Sequence, residues 1–479
     1  MATQRIVFGE WMPDQPSIAG ALTVAKNCVS QAVGYGPIPS PVSFSDSASE
    51  GLTSIFATKK PDGVTNLFAA GPTAMYSVNG IGELSELNTG YSTGSGDIVR
   101  FTQFGNVVLS VNNSEKMQSF ALGSSTAFAD ASADAPVAKF ITVVRDFVVV
   151  ANTYEASEQK NYRVRWSAIN DETSWTPSTT NQSDFQDIPD GGRIMGIRGG
   201  EFGLILLERG IQRMSYIGTP FVFQFDNISR GKGCIASGSI AQLQGITFFL
   251  SDDGFYMCDG QQVVSIGGEK VDRWFLADLD YSAIDTMSAA VDPLRRLVIW
   301  NYKSVDGGME MIIYNFSTKK WSYSDQGVSY VSDASTATVT MEDLDSISTS
   351  LDGLTSSLDS VLYTGGKFFL GGTSGNKVIT FTGENMDAEI ETGDIEIGGQ
   401  SIVTLARPHV DRGSGSVAVS SRRLLENDVS YGTLTAADAD NRISVRSSGK
   451  YHRIKFVPTG DRWKSAVAVD VDIIPQGVR

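Results

Sequence analysis

The sequence predicts an all-β protein, a six- or seven-bladed β-propeller with an additional C-terminal antiparallel β domain. Segments of similar pattern recur about every 45 residues, which is the length of a four-stranded propeller blade. Short apolar strands alternate with tight turns, and glycine makes up 49 of the 479 residues, or about 10% against a typical ~7%. A chain of this length is too long for one ordinary core, so a repeat array or several domains are expected.

Two adjacent copies of the repeat, in residues 192–268, display the pattern most clearly. Each starts with a short apolar strand, Ile194–Ile197 or Ser239–Leu243, followed by a glycine turn. A second apolar strand comes next, Leu204–Leu207 or Ile246–Leu250. A charged turn, a third strand with an aromatic residue and a fourth strand complete each copy. This order predicts one four-stranded blade per copy.

Seven candidate units follow the same plan over residues 52–387, the predicted propeller. Their first residues are Leu52, Asp97, Lys139, Arg193, Ser239, Met287 and Ser360. Glycine-containing pairs suited to hairpin turns occur within the units. They are Gly105-Asn106, Asp253-Gly254, Asp259-Gly260, Gly307-Gly308 and Gly375-Asn376. Strands that are apolar on both faces, such as 147–151, are typical of strands covered by neighbouring blades.

Residues 1–51 precede the repeats and are predicted to be an extended leader without regular structure. Five prolines between Pro13 and Pro41 interrupt both helices and strand ladders. Such a leader is usually held by packing against its own domain or against a neighbouring copy.

An acidic insertion, residues 333–359, separates the sixth and seventh units, and no lysine or arginine occurs between Lys320 and Lys367. Its leucines and isoleucine recur every three or four residues, which is compatible with a short amphipathic helix or a partly ordered loop. Two interpretations remain open: a solvated insertion, or an acidic protrusion that lines a passage or meets a partner. The candidate lumen-facing residues are Glu342, Asp343, Asp345, Asp352 and Asp359.

Strict alternation of apolar and polar residues predicts a β-sandwich-like domain over residues 388–479. Its charge differs from that of the rest of the chain. The whole protein has 38 basic and 54 acidic residues, a net charge of −16, whereas residues 401–479 contain twelve basic and eight acidic residues, a net of +4. The remainder therefore carries −20. Opposite charges on two parts of one chain suit head-to-tail contacts between copies, and equally an intramolecular contact.

The composition excludes several classes of protein. An acidic surface repels the nucleic-acid backbone, which argues against tight DNA binding over the whole surface. The three cysteines, Cys28, Cys234 and Cys258, lack CxxC spacing and predict neither a disulfide framework nor a zinc site. The N-terminus lacks the features of a signal peptide, and no apolar run approaches the 18 residues or so of a membrane span.

No motif predicts catalysis, a cofactor or a metal. The two histidines, His409 and His452, have no cysteine cluster or triad pattern around them and are expected to be structural or surface residues. A glycosidase would need a positioned pair of carboxylates, which the sequence alone does not select. Residues 167–175, SAINDETSW, loosely resemble the Asp-box of sialidase propellers, but the spacing differs and the glycine is absent. We expect a blade turn with Trp175 packed over it.

A resemblance extends over nearly the whole chain. YRVRWSAINDETSW, IPDGGRIMGIRGGEFGLILLERGIQRMSYIGTPFVFQFDNIS and GCIASGSIAQLQGITFFLSDDGFYMCDGQQVVSIGGEKVDRWF resemble the tail nozzle proteins of short-tailed bacteriophages, also called tail tubular or packaged-DNA stabilisation proteins. The leader MPDQPSIAGALTVAKNCVSQAVGYGPIP and the closing GKYHRIKFVPTGDRWKSAVAVDVDIIPQGVR are similar to the same family.

This resemblance implies a structural protein of the virion tail, assembled in the host cytoplasm as a ring of six copies at the lower end of the DNA channel. Such a ring retains the packaged genome and lets double-stranded DNA pass at ejection. The implied partners are copies of itself, tail adaptor proteins above, and tail fibre or tip proteins. The resemblance implies no enzymatic activity and no cofactor. The alternatives are a carbohydrate-binding or glycan-hydrolysing propeller, and a protein-interaction propeller of a cell.

Overall fold

A computed structural model describes residues 2–94, 96–178, 180–340, 343–344, 361–366, 368–460 and 462–476. The described chain is almost entirely β-structure. It has two helices, α1 (Asp272–Asp278) and α2 (Val361–Thr364), and two 3-10 turns at Ser237–Ser239 and Tyr281–Thr286. The predicted fold class is confirmed, because four-stranded blades surround a central channel and an additional C-terminal sheet adjoins them.

The leader forms five strands, so the prediction that it lacks regular structure is wrong. The strands are β1 (Ala2–Val7), β2 (Leu22–Lys26), β3 (Cys28–Ser30), β4 (Tyr35–Pro37) and β5 (Pro39–Ser43). Prolines are compatible with β5 because it is an edge strand, where a missing N–H need not break a ladder. Strands β3 and β4 pair with each other locally. By contrast, β1 and β4 pair with β38, β2 with β33 and β5 with β32, hundreds of residues away, and no local pattern reveals those pairings.

The first five blades follow one another along the chain, each a separate antiparallel sheet. Blade 1 contains β6 (Ser54–Lys59), β7 (Thr65–Ala70), β8 (Ala74–Val78) and β9 (Leu84–Thr89). Blade 2 contains β10 (Arg100–Phe104), β11 (Val107–Val111), β12 (Gln118–Ala121) and β13 (Ala129–Asp130). Blade 3 contains β14 (Val137–Val144), β15 (Phe147–Glu155), β16 (Glu158–Trp166) and β17 (Asp184–Asp187).

Blades 4 and 5 are the two copies in which the repeat is clearest. Blade 4 contains β18 (Ile194–Arg198), β19 (Gly203–Leu207), β20 (Ile211–Gly218) and β21 (Val222–Ser229). Blade 5 contains β22 (Ala241–Leu243), β23 (Ile246–Ser251), β24 (Gly254–Cys258) and β25 (Val263–Ser265). Every residue of β19 is buried, as expected for a strand covered on both faces by adjacent blades.

Blades 6 and 7 complete the ring. Blade 6 contains β26 (Ser288–Asp292), β27 (Leu297–Lys303), β28 (Met309–Asn315) and β29 (Lys320–Ser324). Blade 7 contains β30 (Tyr330–Ser335), β31 (Phe368–Ser374), β32 (Lys377–Asn385) and the leader strand β5. Val42 of β5 lies opposite Thr380 of β32. The N-terminal region therefore supplies the outer strand of the last blade, and β6 of the first blade follows directly.

The last blade starts at Tyr330, so the prediction that the seventh unit starts at Ser360 is wrong. The acidic insertion lies inside this blade, between β30 and β31, and not between two blades. The interruption by residues 336–367 hides the pairing of Val331 with Gly372 from any search for a fixed period. Two predicted hairpin turns are confirmed: Gly105 and Gly375 have φ of 58° and 59° in two-residue turns.

The C-terminal strands form one sheet with blade 6. They are β33 (Glu389–Thr392), β34 (Ile395–Asp411), β35 (Ser414–Arg422), β36 (Thr435–Ala436), β37 (Ile443–Thr459) and β38 (Ser465–Pro475). The order is β26-β27-β28-β29-β2-β33-β37-β34-β38-β4-β3, with β1 paired to β38 and β35 paired to β36 and β37. Leader strand β2 thus joins the propeller to the C-terminal strands, so the predicted β-sandwich-like domain of residues 388–479 shares one sheet with blade 6 and with the leader.

Leader side chains also connect these parts of the fold. Trp11 is fully buried, its indole Nε1 donates to the Thr23 carbonyl at 3.1 Å, and its ring lies 5.0 Å from that of Trp274. The Asp14 carboxylate accepts hydrogen bonds from the backbone N–H groups of Arg273 and Trp274, at 2.9 and 2.8 Å. The N–H groups in the first turn of a helix have no acceptor within the helix, so Asp14 stabilises the start of α1 by accepting from two of them.

Candidate functional site: the central channel of the propeller

The first strand of every blade faces a central cavity of about 330 Å³. Residues from β6, β10, β14, β18, β22, β26 and β30, or from the segments next to them, line it. Aromatic rings, including Phe101 and Phe140, fill part of the space. Among the residues lining the cavity, the charged ones are Arg100, Arg198 and Asp333. These three residues give the channel its chemical character.

Arg100, the first residue of β10, reaches across the channel wall to neutral acceptors. Its Nη1 donates to the Lys139 carbonyl at 3.3 Å and its Nη2 to the Ser237 hydroxyl at 3.4 Å. The guanidinium carbon lies 4.7 Å from the centre of the Phe140 ring. Burial lowers the pKa of Arg100 to about 10, and Arg198 adds to this effect by repulsion. The two guanidinium groups therefore interact electrostatically in the same cavity.

Arg198 ends β18 and is held by backbone carbonyls. Its Nη1 donates to Ile197 at 3.1 Å and its Nη2 to Ile240 at 2.5 Å. Burial lowers its pKa, and Tyr330 and Asp333 oppose that change. Arg198 is half-buried, so it is enclosed by protein and still reaches the cavity.

Tyr330 and Asp333 belong to β30 and complete the polar side of the cavity. Burial raises the pKa of the Tyr330 hydroxyl, and both arginines act against that rise. Burial also raises the pKa of Asp333, against the attraction of Arg198. Asp333 keeps an exposed surface, because water can enter the channel, yet the wall around it limits hydration of its carboxylate.

The acidic candidates of the insertion are only partly described. Glu342, Asp345, Asp352 and Asp359 lie outside the described residues. Asp343 is described and does not line the channel cavity. Its carboxylate accepts from Asn79 Nδ2 at 2.7 Å and from the Thr340 backbone N–H at 2.8 Å. This residue therefore anchors the base of the insertion to blade 1.

The two histidines have the structural and surface positions expected. His452 is fully buried, between the hydroxyls of Ser401 and Ser421, which lie 2.8 Å from Nε2 and 2.7 Å from Nδ1. Burial lowers the pKa of His452. His409 is on the surface, 2.8 Å from a carboxylate oxygen of Asp470.

The other residues singled out in the sequence are also structural. Trp175 is fully buried, and its Nε1 donates to the Glu172 carbonyl at 2.7 Å, which confirms the packed blade turn at residues 167–175. The three cysteines are free and buried. Within the described residues, no group of three or more His, Cys, Asp or Glu side chains is placed to hold a metal ion.

One pair of carboxylates shares a hydroxyl group. The Tyr302 hydroxyl lies 2.8 Å from Asp278 Oδ2 and 3.3 Å from Glu310 Oε2. Burial and the nearby Asp278 raise the pKa of Glu310. Neither carboxylate lines the central channel, so any acid–base chemistry of this pair would occur elsewhere on the molecule.

Membrane crossing by a helix is not supported, since no helix in the described parts of the chain is long and apolar enough.

Sequence reasoning did not single out Arg100 and Arg198. A signal was present, because DIVRF and IMGIR each place an arginine in the first, otherwise apolar strand of a repeat. The first strand of a blade faces the axis, so an arginine there points to a polar channel.

No protein-family model matches the chain, and no curated protein sequence matches it. Among solved structures it is similar to the WD40 domain of Neurospora crassa Pan2, at 7% identity and a TM-score of 0.39, over 72% of this chain and 96% of that one. It is also similar to the WD40 domain of Toxoplasma gondii coronin, at 9% identity and a TM-score of 0.37, over 76% and 87%. Similarities at this level carry no information about function.

Proposed function

We propose that this protein is a structural subunit of a bacteriophage tail, which assembles with copies of itself into a ring of six around the DNA path. It acts as the nozzle that retains the packaged genome and lets it leave at infection, and it makes and breaks no covalent bond. The resemblance of the sequence to tail nozzle proteins suggests the role. The feature of the fold that carries the proposal is an exposed groove with a mixed apolar and polar lining.

The groove lies on blades 3 and 4, measures about 450 Å³, and is lined by apolar residues and by polar ones such as Gln186 and Gln224. Phe221, in the β20–β21 hairpin, is 75% exposed, and Ile217 beside it is 51% exposed. Both line the groove, together with the buried Ile188 and Phe223. An exposed apolar surface of this kind is typical of a site that contacts another protein.

A second copy of this chain is the occupant that fits the groove by charge. Asp190 lies at the groove, as does Asp187, which already pairs with Arg163 at 2.7 Å. Both belong to the part of the chain with a net charge of −20. Residues 401–479 carry a net charge of +4. A head-to-tail contact would place the basic region of one copy at the acidic groove of the next, and repetition of such a contact closes a ring.

The DNA path of the proposed ring runs between copies and not through a propeller. A cavity of 330 Å³ corresponds to a sphere about 9 Å across, whereas the major groove of a duplex alone is about 12 Å wide. The acidic majority of the surface suits a passage that does not grip DNA, because like charges repel the phosphate backbone.

Light scattering and native mass spectrometry of the purified protein test the assembly. We expect a species of six times 51.4 kDa, about 308 kDa, and its loss in Phe221→Asp, since burying an unpaired carboxylate in an apolar contact is costly. Leu294→Asp is the matched control, because Leu294 is also 75% exposed but lies in the β26–β27 turn of blade 6. The control should assemble like the wild type.

A strictly monomeric wild type would contradict the proposal. A monomer that hydrolyses a glycan, with the activity lost in Asp278→Asn, would favour the carbohydrate-active alternative instead.

A further inference from the structure

We propose that the central channel of the propeller binds a small oxyanion of the phosphate class between Arg100 and Arg198. This site is independent of the ring and of the proposed function, because residues of one chain form it completely.

Neither arginine forms an ion pair within the described residues, although Asp97 and Asp285 attract Arg100, and Asp333 attracts Arg198, from farther away. The acceptors that the described residues offer them are the carbonyls of Lys139, Ile197 and Ile240 and the hydroxyl of Ser237. Within the described part of the chain, neither guanidinium has a carboxylate oxygen within the 4.0 Å of an ion pair, although most other enclosed arginines do. Arg163, Arg422 and Arg453, for example, pair with Asp187 or Asp394 at 2.5–2.7 Å.

Two enclosed cations that are not neutralised by an ion pair are unfavourable to each other and to the fold. Charges removed from water are normally paired or neutralised, and here burial depresses the pKa of both groups. An anion in the cavity would restore the missing pairing. Guanidinium groups present a planar fork of donors that matches phosphate oxygens, so phosphate suits this site better than chloride.

The rest of the cavity wall supplies further donors and one opposing charge. The hydroxyls of Ser237, Ser332 and Tyr330 and the amide of Gln242 belong to lining residues and can hydrogen-bond to an oxyanion. Asp333 is the acidic residue of the lining and repels an anion. Among the lining residues, two arginines and one aspartate leave a net positive charge, which the attraction of Asp97 and Asp285 for Arg100 reduces. The 330 Å³ volume accommodates a phosphate or a small phosphate ester.

Isothermal titration with inorganic phosphate, at constant ionic strength adjusted with sodium chloride, tests the site. We expect one saturable site per chain in the wild type. Affinity should fall at least about tenfold in Arg100→Gln and in Arg198→Gln, because each variant removes one positive charge and its charge-assisted hydrogen bonding to the anion. Arg423→Gln is the matched control, since Arg423 is exposed on the C-terminal domain, and it should bind phosphate like the wild type.

Thermal unfolding gives an independent measure that also covers variants that fold poorly. Phosphate stabilises proteins in general by exclusion from their surface, and this effect is common to all variants. Binding at the site adds to it, so phosphate should raise the melting temperature of the wild type and of Arg423→Gln more than that of Arg198→Gln at equal concentration. If Arg100→Gln does not fold, Arg100→Lys replaces it, because lysine keeps the charge and loses the fork. The absence of a saturable heat in the wild type up to about 10 mM phosphate, or binding that is equal in all variants, would overturn the proposal.

Discussion

At the scale of single residues, His452 gives the C-terminal sheet a dependence on pH. Its ring is fully buried, is hydrogen-bonded to Ser401 and Ser421, and has a pKa lowered by burial. The unfolded chain has an ordinary histidine pKa of about 6.5 and therefore binds a proton before the folded chain does. The stabilisation is complete above that pH and is lost as the pH falls towards the folded pKa.

We predict that the urea midpoint of the wild type decreases between pH 7.5 and pH 5.5 by more than that of His452→Gln. The difference should reach about 1 kcal/mol in the free energy of unfolding. His409→Gln is the control and should keep the wild-type dependence, because His409 lies on the surface. Identical pH dependence in the wild type and His452→Gln would contradict a neutral buried ring.

Asp394 is the second residue whose role can be tested. Its side chain is 1% exposed and pairs with Arg422 and with Arg453, the latter at 2.7 Å. Burial would raise its pKa, but the hydrogen bonds from Arg453, Ser17 and Arg422 outweigh burial and lower it. One carboxylate thus holds together β35, β37 and the leader.

We expect Asp394→Asn to lower the free energy of unfolding by about 3–5 kcal/mol, since two enclosed guanidinium groups lose their charged partner. Chemical denaturation measures this loss. Asp440→Asn serves as the comparison, because the Asp440–Arg442 pair is exposed and 3.9 Å long; such a pair contributes about 0–1 kcal/mol. Equal losses in both variants would contradict the assigned role of Asp394.

At the scale of elements, the closure of blade 7 by β5 is the feature that the sequence concealed. Turn residues and apolar periodicity were sufficient to predict the strands and hairpins within a blade, as the turn at Gly105 and the fully buried β19 illustrate. They were insufficient for β1, whose Ala2 lies opposite Ile473. Turn chemistry and apolar periodicity act over a few residues, whereas these pairings depend on how distant segments pack.

A disulfide between β5 and β32 tests the closure and its register. Val42 and Thr380 are directly opposite, a separation at which cysteines can be bridged. We predict that Val42→Cys/Thr380→Cys forms an internal cross-link under oxidation. The cross-link should raise the free energy of unfolding by about 2–4 kcal/mol, measured by thermal unfolding, because the bond closes a long loop.

Val42→Cys/Leu294→Cys is the control pair for this cross-link, because Leu294 lies in blade 6 and pairs with no β5 residue. It should give no internal cross-link. The native cysteines are all buried and should not react. Failure of the Val42–Thr380 pair to cross-link would mean that another strand closes blade 7.

At the scale of the whole molecule, the leader joins the propeller and the C-terminal strands into one hydrogen-bonded frame. Strand β2 lies between blade 6 and the C-terminal strands, and β5 closes the ring of blades. The repeat period was sufficient to predict a propeller of six or seven blades. The sequence could not assign the two arginines to a common site, because Arg100 and Arg198 line the same cavity only once blades 2 and 4 are arranged around one axis.

The central functional claim is that this frame works as one subunit of a ring through which DNA passes. Cryo-electron microscopy of the purified protein and of virions that contain it tests that claim most directly. The account predicts a closed ring of six propellers at the lower tail, with an axis wide enough for duplex DNA and Phe221 buried between neighbouring copies. A protein that stays a single propeller at high concentration and is absent from tails would contradict it.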